Sequence, residues 1–123
     1  MTRNIRIVPD HSTLSSVPSP ESYDLLIIPG GAPGAKTFSA SNEVLQLITS
    51  FRQQGKYVAA ICAGTTALVA AQELAASGKT ESEAGRKAKV TSHPSVEDEI
   101  KGKGWEYSEE RIVVDGKVVT SRG

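Results

Sequence analysis

The stretch Tyr57–Leu68, YVAAICAGTTAL, restricts the possible folds of this chain more than any other. Val58 to Ile61 is an unbroken apolar run, which is how a strand reads when both of its faces are covered, as in a parallel sheet. Ala63-Gly64 permits a sharp reversal, and the sequence from Thr65 onward, TTALVAAQELAA, is strong helix-forming material. The segment therefore predicts a strand, a tight turn and a helix, with the only cysteine, Cys62, at the strand's carboxyl end. There the thiol faces the first turn of a helix, where backbone N–H groups and the positive end of the helix dipole favour an anion. Ligands bind at this edge of open α/β sheets. The position is the cysteine counterpart of a serine nucleophile elbow. A lone cysteine most often only packs; the turn around Cys62 is what argues for reactivity.

The flanking sequence alternates strands and helices. Ile5–Val8 reads as a strand stopped by Pro9-Asp10, and His11–Ser22, rich in serine and proline, as a loop. Leu25–Ile28 is a second fully apolar strand, ending at Pro29-Gly30-Gly31. Ser41 or Asn42 caps a helix running to about Gln54, with Val44, Leu45, Ile48 and Phe51 on one face and Gly55 closing it. After the helix that follows Cys62, Gly78 is the expected stop, and Ser77–Lys89 reads as a polar surface loop. Ala88–Ser92 resumes as a strand, and Ser95 with Asp98 fits a capping box for a helix over Val96–Lys101. Trp105–Ser108, Arg111–Val114 and Lys117–Ser121 read as strands, with Asp115-Gly116 as a hairpin turn between the last two. The alternation predicts a mostly parallel sheet with helices on both faces. The chain reads as one domain over residues 1–123. The helices available are too few to cover both faces, so an incomplete set of layers is expected.

Composition removes several functions. Lysine plus arginine equals aspartate plus glutamate, 14 each, leaving no basic field for nucleic acid or anionic lipid. A single cysteine excludes an intramolecular disulfide framework and a cysteine-rich zinc site, and with His93 and Cys62 as only two ligand types and no clustered third, no metal is expected. The N-terminal MTRNIRIVPD has no apolar signal core, and no run of eighteen apolar residues occurs. A soluble protein of the cytoplasm or nucleus, with no membrane partner, is the resulting expectation.

Four stretches should end strands at one edge of the sheet: Pro29-Gly30-Gly31, Cys62-Ala63-Gly64, Ser92-His93-Pro94 and Ser121-Arg122-Gly123. Parallel strands share direction, so these ends cluster in space. Gly31 and Ala63 N–H groups are candidate oxyanion donors, with Gly30 and Gly64 forming the surrounding turns. His93 is the candidate for moving a proton. Taken singly, each has a plainer role: a turn glycine, a packed or capping histidine, a solvated arginine.

Together, YDLLIIPGGAPGA, AAICAGTTAL, VTSHP and YSEERIVVDGKVVTSRG, in that order, resemble the DJ/PfpI superfamily and within it the parkinsonism-associated protein deglycase branch. The resemblance covers nearly the whole chain from Arg3 onward. It implies a flavodoxin-like three-layer α/β/α sandwich and a homodimer. It also implies Cys62 as nucleophile, Gly31 and Ala63 as oxyanion donors, His93 as the histidine of the family's T-[TS]-H-P motif, and Arg3 and Arg122 near the cysteine or the dimer contact. The implied activity is cofactor-free conversion of methylglyoxal, a small aldehyde, to lactate, with limitation of protein glycation. A protective, redox-sensing role through oxidation of Cys62, or an inactive fragment of such a protein, is the alternative. Against the family pattern, no residue here matches the glutamate that pairs with the cysteine, which the family carries on an opening strand and helix. The closing helix beyond Ser121-Arg122-Gly123 has no counterpart either. Thr65 stands where the branch has proline.

Overall fold

The computed structural model describes residues 8–10, 22–77 and 87–123. The strand expected at Ile5–Val8, the loop after it, Arg3, His11 and the Gly78 stop lie outside the described residues, except that Val8 and Ser22 are described, Val8 as exposed chain with no strand.

Strand β1 (Leu25–Ile28) pairs in parallel with β2 (Tyr57–Ile61). Strand β2 pairs in parallel with β6 (Val118–Ser121), which pairs antiparallel with β5 (Ile112–Asp115), giving the order β1-β2-β6-β5. The sheet is thus mostly parallel, as the apolar runs predict. The β5–β6 connection is the expected two-residue hairpin, with Asp115 opposite Val118. Gly116 takes φ 60 at the first central position, a conformation that costs a glycine little.

Register divides the sheet into two unlike faces. Ile28, Val58, Ala60 and Val118 are buried in one core cluster. That cluster includes Leu45, Ile48 and Phe51 of α2 (Asn42–Gln53) and Ala67, Leu68 and Ala71 of α3 (Thr65–Ser77). Helix α2 starts where the sequence indicates, with Ser41 Oγ accepting from the Val44 N–H, and Gly55 at φ 71 follows its end. The alternate side chains point the other way. Leu25 and Ile27 lie beside Tyr57 and Ala59, and Ala59 and Ile61 beside Val119 and Ser121, with Val114 and Ile112 next in line. Ile27, Ile112 and Val114 are more than half exposed. Among the described residues the helices therefore cover one face only. This is the incomplete layer set implied by the small number of helices.

Three details depart from the sequence reading. Ala32–Ala40 forms a helix, α1, where the sequence reading assigned no element between the Pro29-Gly30-Gly31 strand end and the Ser41 cap. Pro33 falls in its first turn, where the missing N–H costs no intrahelical bond. The strand β3 (Lys89–Val90) does not enter the main sheet but pairs in parallel with β4 (Glu106–Tyr107). The tight hairpin places β5 on the free edge of β6, which leaves β6 no slot for β3. Finally, Ser95 and Asp98 form no capping box. Pro94 opens a 3-10 turn, Pro94–Val96, and the cap is the His93 side chain, which accepts from the Ser95 N–H ahead of α4 (Glu97–Gly102).

Candidate active site

The elbow is present in the backbone. Strand β2 ends at Ile61, Cys62–Gly64 form one 3-10 turn, and α3 begins at Thr65. Cys62 has φ 58, the only positive φ of a non-glycine residue among the described residues. An L-residue there crowds its Cβ against the backbone and is held only when its surroundings over-determine it. The consequence is that the free, half-buried Cys62 side chain stands out of the strand-to-helix turn rather than folding into the core.

Two glycines, Gly30 and Gly123, make room for it, and a third, Gly64, lets the turn pack on the end of β1. A Cβ on Gly30 would sit 2.8 Å from Cys62 Cβ and 3.5 Å from its Sγ. A Cβ on Gly123 would sit 3.1 Å and 3.5 Å from the same atoms. On Gly64 it would sit 2.5 Å from the Pro29 carbonyl oxygen and 2.9 Å from that of Ile28. The ends of β1, β2 and β6 thus meet at the thiol, as parallel strands require. Gly31 is the N-cap of α1 and Ala63 lies in the 3-10 turn, so both belong to helix beginnings, where N–H groups lack intrahelical acceptors.

His93 is placed differently. Its exposed ring uses Nδ1 to accept from the Ser95 N–H at 3.0 Å, with Ser95 Oγ 2.8 Å from the same nitrogen. An Nδ1 that accepts from a backbone N–H puts the neutral ring's proton on Nε2, so that nitrogen donates. Among the described residues no side chain hydrogen-bonds the Cys62 thiol, and the hydrogen bonds of the His93 ring are to Ser95.

Arg122 is drawn into a polar cluster. Its Nε donates to Thr91 Oγ1 at 3.1 Å, and its Nη2 to Tyr107 OH at 3.2 Å and Glu97 Oε1 at 3.4 Å. Tyr107 OH contacts Ser92, and Glu97 also binds Lys101 at 2.9 Å, a hydrogen bond that raises the Lys101 pKa above its usual value. Thr91, fully buried, donates its N–H to Thr120 Oγ1, and its carbonyl accepts from Thr65 Oγ1. These bonds bring the end of β3 to the same edge as Cys62, stacked against β6 rather than paired with it. Sequence reasoning gave no role to Thr65, Thr91, Tyr107 and Thr120, although all four lie inside the motif stretches, and Glu97 lies outside those stretches. It also passed over Gly123 as a neighbour of the thiol, although that residue ends a stretch singled out for the site.

A groove of about 310 Å³ starts beside the elbow, lined by Ala63 and Thr66, by Ala32, Ala35 and Lys36 of α1, and by Glu99 of α4 among others. It is largely apolar with one charge of each sign at its rim. No group of three histidine, cysteine, aspartate or glutamate residues lies together among the described residues, and no described helix is long and apolar enough to cross a membrane.

Comparison with known proteins finds that the profile described as the DJ-1/PfpI family matches residues 1–123. The chain is 37% identical to the Parkinson disease protein 7 homolog of Danio rerio over 99% of its own length and 59% of the relative's. It is 30% identical to the glutathione-independent glyoxalase DJ-1 of Schizosaccharomyces pombe, over 100% and 60% of the two lengths. The solved structure of Schizosaccharomyces pombe DJ-1 superposes with a TM-score of 0.70 at 32% identity, covering 89% of this chain and 54% of that one. The chain thus spans little more than half the length of these three relatives.

Proposed function

The chain belongs to the DJ-1/PfpI family, and from that premise we propose that it acts as a cysteine-dependent, cofactor-free enzyme of the glyoxalase III and deglycase type. Its substrate is a small aldehyde, methylglyoxal, and its product lactate. The observation that carries the reading is Cys62 at φ 58 on the strand-to-helix turn, with Gly30 and Gly123 closing around its side chain. The relative from Schizosaccharomyces pombe named as a glutathione-independent glyoxalase supports it.

In the proposed reaction the Cys62 thiolate adds to the aldehyde carbon. A C–S bond forms and the carbonyl electron pair moves to oxygen, where the Gly31 and Ala63 N–H groups are the proposed donors. The hemithioacetal then loses its C–H proton and regains one at the adjacent carbon, giving a lactoyl thioester. Water adds, the C–S bond breaks, and lactate leaves with the thiolate restored; the net change is methylglyoxal plus water to lactate. His93 is the proposed proton carrier. In the structure its Nδ1 is engaged by Ser95, so acting as a base requires the ring to release that contact. The homodimer implied by the family resemblance belongs to the same proposal; sedimentation as a monomer at micromolar concentration would remove it.

One observation favours a second reading. With no side chain hydrogen-bonded to the thiol among the described residues, Cys62 is equipped for reaction with a peroxide more plainly than for proton shuttling. Peroxide would oxidise the thiolate to sulfenate with release of water, and a further peroxide would give sulfinate, a protective or sensing function. Methylglyoxal consumption with lactate detection, without glutathione, separates the two. Turnover lost in Cys62→Ala supports the enzyme; no turnover from the unaltered chain overturns it.

A further inference from the structure

Cys62 is flanked by two segments that are not its chain neighbours, and both are tied to one buried residue. On one side, Thr65 opens α3 three positions after the cysteine, and its hydroxyl donates to the Thr91 carbonyl at 3.1 Å. On the other side Gly123 lies against the thiol, and the adjoining Arg122 donates from Nε to Thr91 Oγ1 at 3.1 Å. Thr91 itself is held to β6 through its N–H and Thr120 Oγ1 at 2.9 Å. The path from Cys62 through Thr65, Thr91, Arg122 and Gly123 returns to Cys62, a closed loop of short contacts.

Within that loop the guanidinium is a three-way junction. Besides Thr91 it binds Tyr107 on β4 and Glu97 at the start of α4, and its plane lies over the Tyr107 ring with Cζ 5.9 Å from the centroid. Arg122 and Glu97 side chains are about a quarter and a fifth exposed, so water weakens this pair less than a surface pair. The guanidinium reaches these acceptors from two separate nitrogens held in one plane; a lysine ammonium carries its three donors on a single nitrogen and does not span the same spread. The same residue's backbone is fixed as well, its N–H donating to the Arg111 carbonyl at 2.9 Å. Arg122 has little freedom, and Gly123 inherits that restriction.

We propose that Arg122 is a positioning residue for the candidate nucleophile: by clamping Thr91, Glu97 and Tyr107 it fixes Gly123 against the Cys62 thiol and limits the size of what can approach. It rests on the reading of Cys62 as the reactive atom and adds a determinant of access to it. The Arg122–Glu97 contact links α4 to the wall of the thiol, so a change on an outer helix reaches the site through one side chain.

The test measures thiol geometry rather than turnover. The purified chain is alkylated with iodoacetamide and with a dye-linked iodoacetamide, the same electrophile at two sizes, and the ratio of the two rate constants is the readout. Releasing a hydrogen-bonded clamp lowers the small-to-bulky ratio in Arg122→Ala by about fivefold, with the rate for the small reagent changed by less than about twofold. Arg122→Lys falls between the two, and Glu97→Ala, which cuts one arm, lowers the ratio by about twofold. Lys103→Ala removes an exposed pair with Glu73, outside the clamp, and leaves the ratio unchanged. An unchanged ratio in a folded Arg122→Ala overturns the proposal, as does an equal fall in Lys103→Ala. If Arg122→Ala does not fold, Glu97→Ala decides: an unaltered ratio there overturns it. A chain that shows the clamp effect but no methylglyoxal turnover keeps this proposal and loses the glyoxalase reading.

Discussion

Replacing Gly64 by alanine, and separately Gly34 by alanine, adds the same methyl group at two places with opposite surroundings. At Gly64 the new Cβ meets the Pro29 carbonyl oxygen at 2.5 Å, the Ile28 carbonyl oxygen at 2.9 Å and Ile28 Cγ2 at 3.2 Å. Two of the three are backbone atoms of the strand β1 and its exit, so no side-chain rotation relieves them. The sheet end must open instead, at the overpacking cost of about 1–3 kcal/mol. Gain from restricting the unfolded chain offsets about 0.4–1 kcal/mol of that. At Gly34, inside α1, nothing lies within 4 Å, and the substitution removes a helix-interior glycine. That change stabilises by about 0.5–1 kcal/mol. With roughly 3–6 °C of Tm per kcal/mol for a chain this long, Gly64→Ala melts about 2–12 °C lower and Gly34→Ala about 2–6 °C higher. Urea unfolding at fixed protein concentration gives both values under one set of conditions. The Gly64 variant also alkylates at Cys62 at an altered rate, because its displaced turn carries the thiol, whereas the Gly34 variant does not. Equal or higher stability in Gly64→Ala would show that β1 and the elbow are not in contact, and the packing account of the site would fail with it.

Cys62→Gly should be more stable than Cys62→Ala by about 1 kcal/mol, because glycine accepts φ 58 without the crowding that any L-side chain meets there; equal melting temperatures would remove the claim of strain at the elbow. On the open sheet face, Ile27→Thr and Val114→Thr, both more than half exposed, should change stability by less than about 0.5 kcal/mol while reducing binding of a hydrophobic dye. A loss several times larger in urea unfolding would mean that this face is covered in solution.

Much of this arrangement is legible in the sequence because it follows from local chemistry. An apolar run ending in Cys-Ala-Gly followed by helix formers has few alternatives, and β1, β2 and α3 lie where those patterns place them. The Asp115-Gly116 pair marks its hairpin for the same reason. What escaped depends on competition between elements. Helix α1 was hidden because Pro33 and Gly34 are turn residues by composition and helix residues by position. Strand β3 has the residues of a sheet strand, and it is excluded only because the hairpin has already filled the edge of β6. The His93 imidazole caps a 3-10 turn that precedes α4, so the helix begins after Val96, which supplies no side-chain cap, and the box of Ser95 with Asp98 has no place. None of these outcomes is encoded in a window of neighbouring residues.

The strain at Cys62 also explains why the polar cluster lies where it does. A positive φ at a non-glycine residue costs about 1–2 kcal/mol and persists only if the flanking chain cannot relax. Before the cysteine, β2 is held by hydrogen-bonded strands on both sides, β1 and β6. After it, the turn is held by Gly64 packed on the β1 carbonyls, and the first residue of α3 by the Thr65–Thr91 bond. Thr91 can serve as that anchor because it is buried and bonded to β6 through Thr120 and Arg122. Every one of these restraints acts on the helix-bearing side of the sheet or at its carboxyl edge, and none draws on the exposed face of Ile27, Ile112 and Val114. The elbow is therefore fixed by the part of the fold that is fully packed, and its geometry does not depend on what covers the opposite face.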